Sequence, residues 1–93
     1  MLAADPKNSF ARYGLAMELV NTGNLERAAT TFEELLAADP TYCAGYYHGG
    51  QTLEKLDRPD DARSMYRRGL EASAAKGDMH THGEIQAALD FLG

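Results

Sequence analysis

Cys43 and His48 form the first pair in this chain whose residue types could do chemistry, since a thiol beside an imidazole base is the basis of thiolate nucleophiles. Five residues of helix separate their side chains by about 140° around the axis, so the imidazole is badly placed as a base. A small structural cysteine is the expectation. His80 and His82 are a second candidate, as metal ligands. Two residues of helix turn them about 200° apart, so only a loop over this segment would let the pair chelate, and a metal site needs three or four ligands. Asp60-Asp61 follow Pro59 and read as the acidic first turn of a helix rather than as catalytic carboxylates. The chain has no glycine-rich phosphate loop and no Ser/His/Asp set. No catalytic residue, cofactor or metal site is therefore expected.

The elements that hold these residues are set by an internal repeat. Leu2-Ala3-Ala4-Asp5-Pro6 recurs as Leu36-Ala37-Ala38-Asp39-Pro40, an offset of 34 residues. At the same offset Tyr13 meets Tyr47, Leu19 meets Leu53, Ala28 meets Ala62, Phe32 meets Tyr66, Leu36 meets Leu70, and Ala38 meets Ala72. A fixed period of this size marks a stacked array. Each unit reads as two helices. The first runs from about Asn8 to Asn21 and ends at Thr22-Gly23-Asn24, with glycine as the stop and Asn24 as the next cap. The second runs from about Leu25 to Ala38, where Pro40 excludes helical geometry at Asp39. The next unit gives helices over about 41–56 and from Pro59 to about Ala75. Gly77 breaks the chain again, and Asp78 caps a fifth helix over about 79–92.

The chain has 93 residues, which is one domain, and it buries a modest core, roughly 60–65% of its unfolded surface. A hydrophobic share of 44% with 25% charged residues is that of a folded globular protein. The net charge of −5 disfavours nucleic acid. No apolar run approaches the roughly 20 residues of a membrane span, and residues 1–20 lack the order of a secretory signal. One cysteine cannot form an internal disulfide, which fits a cytoplasmic location.

The repeat resembles the tetratricopeptide repeat (TPR) family, whose 34-residue unit carries W-x2-L-G-x2-Y, then A-x3-F, then P. The first unit offers Arg12-x2-Leu15-Ala16-x2-Leu19, Ala28-x3-Phe32 and Pro40; the second offers Tyr46-x2-Gly49-Gly50-x2-Leu53, Ala62-x3-Tyr66 and Ala74 for the proline. Arg12 replaces the large aromatic and Gly49 the leucine, while Ala16, Ala28, Gly50 and Ala62 keep the small positions that let paired helices approach. The resemblance implies an all-α solenoid: one domain over 1–93 with repeat 1 at about 9–42, repeat 2 at about 43–76 and a capping helix at about 78–92. Leu2–Pro6 would be the tail of an earlier unit. It also implies non-catalytic protein or peptide binding on the concave side.

Helical geometry says which residues would face that side. In the first helix Arg12, Leu15, Ala16 and Leu19 form one stripe, directed at the second helix, while Phe10, Tyr13 and Met17 form another roughly 150° away. The third helix repeats this with Tyr46, Gly49, Gly50 and Leu53 inward and Tyr47 on the other side, flanked by His48 and Glu54. The expected peptide groove is Phe10, Tyr13, Met17, Tyr47, His48, Gln51 and Glu54, with Tyr13 and Tyr47 side by side. The competing reading has these rings packing on neighbouring first helices or on the fifth, and Phe10 covering the N-terminal edge. Some family members grip a C-terminal carboxylate with lysine and asparagine; here Tyr13, Met17, Tyr47 and Gln51 stand in those places, so a carboxylate clamp is not expected. The alternative function is self-association, such as a homodimer, through an uncapped N-terminal edge. Glu33-Glu34 and Arg67-Arg68, again 34 apart, would face each other on the second helices. Gly45, Gly49 and Gly50 mark the third helix as the weakest by propensity.

Overall fold

The computed structural model describes residues 8–93, so the Leu2–Pro6 segment lies outside the described residues. It contains five helices in order: α1 (Ser9–Asn21), α2 (Leu25–Ala38), α3 (Cys43–Lys55), α4 (Pro59–Lys76) and α5 (Met79–Leu92). Among the described residues there is no strand. Asn8 caps α1 by accepting from the Ala11 amide at 3.0 Å, and Asp78 caps α5 by accepting from the Thr81 amide at 3.2 Å. Asn24 occupies the cap position of α2 without that bond; its amide nitrogen donates instead to the Thr22 hydroxyl at 3.0 Å. α3 starts two residues later than the sequence suggests. Asp39 accepts from the Thr41 amide and hydroxyl, at 3.2 and 2.7 Å, which holds Thr41 in a turn. The other Asp39 oxygen accepts from the Ser9 hydroxyl at 2.8 Å and ties the turn to the start of α1. These bonds lower the Asp39 carboxyl pKa, with the Thr41 hydroxyl contributing most.

Three helices end the same way. A left-handed residue, Gly23 (φ 82°), Asp57 (φ 58°) or Gly77 (φ 78°), is followed by an amide that reaches back five residues. The bonds are Asn24 to Leu19 at 2.8 Å, Arg58 to Leu53 at 2.9 Å and Asp78 to Ser73 at 2.9 Å. Asp57 is the repeat's counterpart of Gly23 and bears the cost of a side chain there. Asp57→Gly is therefore expected to stabilise the fold by roughly 0.5 kcal/mol, after the larger chain entropy of glycine is set against the relieved strain. Thermal melting of the two proteins checks this.

Packing follows chain order. α1 lies on α2, α2 on α3, α3 on α4 and α4 on α5. In addition α3 touches both α1 and α5, whereas α2 and α4 make no close backbone contact. The helices are thus closer along α1, α3 and α5 than along α2 and α4, which bends the stack and makes the α1/α3/α5 face concave. Between α1 and α2 the core is Ala16, Phe32 and Leu35, edged by Tyr13, Met17 and Val20. From α2 to α5 it is Ala29, Leu36, Tyr46, Leu53, Ala62, Met65, Tyr66 and Ile85. The stripe on α1 is buried as expected at Ala16 and Leu19, but Leu15 remains 39% exposed on the free side of the helix.

On the outer side, Glu33 of α2 pairs with Arg68 of α4 at 3.2 Å, as the charge pattern suggests. Glu26 approaches Arg58 at 3.7 Å. Both pairs are half-exposed and contribute at most about 1 kcal/mol each.

Candidate functional site

The concave face is lined by three helices whose positions correspond when counted from each first residue. Tyr13, Tyr47 and Gly83 are fifth, and Gly14, His48 and Glu84 are sixth. Tyr13 meets Phe32 edge-on with ring centroids 6.4 Å apart, Tyr42 at 5.3 Å and His48 at 5.8 Å. His48 in turn stands edge-on to Tyr47 at 5.1 Å. The link between the two equivalent tyrosines therefore runs through His48. The three rings form a continuous half-buried row across α1 and α3. Edge-to-face contacts of this kind fix ring orientation and contribute about 0.5–1.5 kcal/mol beyond area burial.

Burial raises the Tyr13 pKa, with Tyr42 and Glu84 adding to the effect. Burial also lowers the His48 pKa from its ordinary 6.5, against the pull of Glu84 and with a push from Lys55, which favours the neutral imidazole. Glu84, half-exposed on α5, bears electrostatically on both Tyr13 and His48.

The rest of the expected groove is distributed differently. Phe10 is 75% exposed at the start of α1. Met17 packs at the edge of the α1–α2 core. Gln51 and Glu54 are engaged by α4: the Gln51 amide nitrogen donates to the Tyr66 hydroxyl at 3.0 Å, and that hydroxyl donates to the Glu54 carboxylate. Burial, reinforced by the bond to Glu54, pushes the Tyr66 pKa well above the ordinary phenol range. Both polar side chains thus serve the α3–α4 contact. Tyr42, absent from the expected set, extends the aromatic row.

Beside this row the backbone is open. A Cβ on Gly14 or on Gly83 would meet nothing within 4 Å, and neither residue has a positive φ. Each is a helix-interior glycine with no packing reason to be one. Gly14→Ala and Gly83→Ala are each expected to raise stability by up to about 1 kcal/mol, or about 4–8 °C in Tm for a domain of this size. Thermal melting of the single variants checks this.

The other candidates resolve simply. Cys43 is buried, its thiol donates to the Thr41 carbonyl at 3.4 Å, and burial raises its pKa, the reverse of an activated thiolate. His80 lies 3.8 Å from Glu84 one turn along α5. Among the described residues no group of three or more His, Cys, Asp or Glu side chains could hold a metal ion, and no helix is long and apolar enough to cross a membrane.

Antiparallel helical hairpins stacked in sequence, with small residues where the pairs cross and one concave face, define a helical-repeat solenoid. The sequence model of the tetratricopeptide repeat family matches residues 2–42 and 13–76, and the chain belongs to that family. A TPR repeat-containing protein of Pseudomonas aeruginosa is 30% identical over 92 residues, spanning 99% of this chain and 88% of that one. The solution structure of a tetratricopeptide repeat domain protein from Salinibacter ruber superposes with a TM-score of 0.89 at 41% identity, over 95% of this chain and 89% of that one. A crystal structure of a tetratricopeptide repeat domain protein from the same organism gives 0.86 at 40% identity, over 91% and 96%. Domains of this family are in general protein-interaction modules and non-catalytic scaffolds.

Proposed function

We infer that this chain is a non-catalytic adaptor that holds a peptide or protein segment against its α1/α3/α5 face. The observation that carries this reading is the half-exposed row Tyr13–His48–Tyr47, edged by helix backbone left open at Gly14 and Gly83. Rigid rings with polar tips bind at low entropic cost, and open backbone lets a bound chain approach closely. A single buried cysteine and a net charge of −5 suit a cytoplasmic module that avoids nucleic acid. The test is capture of partners from a lysate of the source organism by wild type and by Tyr13→Ala/Tyr47→Ala, after circular dichroism shows both folded. A partner held by wild type and lost by the folded double variant supports the concave face. The same partner held equally by both moves the site elsewhere.

A second reading, self-association, is favoured by one observation: α1 carries two exposed apolar residues, Phe10 at 75% and Leu15 at 39%. Light scattering over a concentration series tests it. A mass that stays monomeric up to millimolar protein removes it.

A further inference from the structure

We propose that the concave trough takes an arginine side chain of the partner segment, laid along the rings of Tyr13, His48 and Tyr47, with its guanidinium held by Glu84. This rests on the concave-face reading above and names the chemistry of its ligand.

Charge placement leads there. Arg58 pairs with Asp61 and Glu26, Arg63 with Asp60 and Arg68 with Glu33; Arg12 donates to the Glu34 carbonyl of α2, and Arg27 and Arg67 are exposed on α2 and α4, the outer row. Lys76 donates to the Thr41 carbonyl at 3.1 Å, at the end of the stack where α3 begins. Lys55 remains, exposed at the last residue of α3, seven residues beyond His48. Against it, Glu84 is the sixth residue of α5, as His48 is of α3, and these two helices touch. Its carboxylate lies 3.8 Å from His80, whose side chain is largely exposed. Its electrostatic influence on both Tyr13 and His48 agrees with that placement.

The rings suit the same occupant. A guanidinium stacks on aromatic faces and donates in a planar fork to a carboxylate, whereas an ammonium is a compact, strongly hydrated charge. Gly14 and Gly83 leave room on both sides of the row for the peptide backbone that carries the arginine. A cationic segment is also drawn by the net charge of −5.

The test uses three pools of acetylated, amidated hexapeptides, random except for a fixed central Arg, Glu or Leu. Each is titrated into the isotope-labelled protein and followed by amide chemical shifts. The expected result is that the Arg pool shifts Tyr13, His48, Tyr47 and Glu84 more strongly than the others do. Glu84→Gln should weaken that pool by about fivefold to tenfold, the low end for a charged hydrogen bond at a half-exposed site. The melting curve should be unchanged. If the Glu or Leu pool shifts the same residues as strongly and is indifferent to Glu84→Gln, the arginine site is overturned while the concave-face reading stands. If no pool moves these residues at millimolar concentration, the arginine site is likewise overturned. The lysate comparison with Tyr13→Ala/Tyr47→Ala then decides the concave face independently.

Discussion

Gly50→Ala is expected to destabilise the protein by about 3 kcal/mol or more, at or beyond the upper end for an added methyl in a packed core. A Cβ there would lie 2.2 Å from Tyr66 Cε1 and 2.6 Å from two further ring atoms. The ring cannot yield easily. It is fully buried, and its hydroxyl is fixed between Gln51 and Glu54 on α3 itself. The neighbouring Gly49→Ala is the internal control. Its Cβ would meet Met65 Cε at 3.2 Å, the end of a flexible side chain, and Phe32 Cβ at 3.4 Å. Both substitutions gain roughly 1 kcal/mol of helix propensity, so Gly49→Ala should stay within about 1 kcal/mol of wild type. Equal melting temperatures for the two variants would show that α3 and α4 are not this close at Gly50.

Ile85→Ala should cost about 2–5 kcal/mol, the range for truncating a buried isoleucine. Ile85 is the buried residue of α5, and it packs over Gly69, where an added Cβ would meet Ile85 Cδ1 at 2.8 Å and Tyr46 Cβ at 2.6 Å. Three layers, α3, α4 and α5, converge there. In the variant, hydrogen exchange should accelerate first in α5 and next in the part of α4 around Gly69. A loss below about 1 kcal/mol, against that expected range, would mean that α5 is only loosely docked.

The repeat period, the helix pairing and the small residues at the crossings were legible because each leaves its mark at a fixed spacing in one strand of text. What was not legible depends on partners distant in sequence. A helical wheel puts Gln51 and Glu54 near the concave side, but it cannot see that the Tyr66 hydroxyl, on another helix, accepts from one and donates to the other. Glu84 escaped for a different reason. α5 begins 36 residues after α3, not 34, so the repeat offset sets Glu84 against Gly50, whereas counting from the helix starts sets it against His48. Propensity alone marks α3 as the weakest helix, yet α3 is the element packed against all four others. Its three interior glycines, Gly45, Gly49 and Gly50, are each in contact range of a core side chain. Tertiary packing outweighs propensity in such a place.

The spacing of the two helix rows has a mechanical consequence. On one side α3 touches α1, through the row of rings, and also α5. The other is joined across α2 and α4 by long, half-hydrated side chains, Glu33 to Arg68 and Glu26 to Arg58. Any flexing of the arch would stretch or slacken those outer tethers, each worth at most about 1 kcal/mol. The curvature of the stack is thus expected to soften as salt screens those tethers.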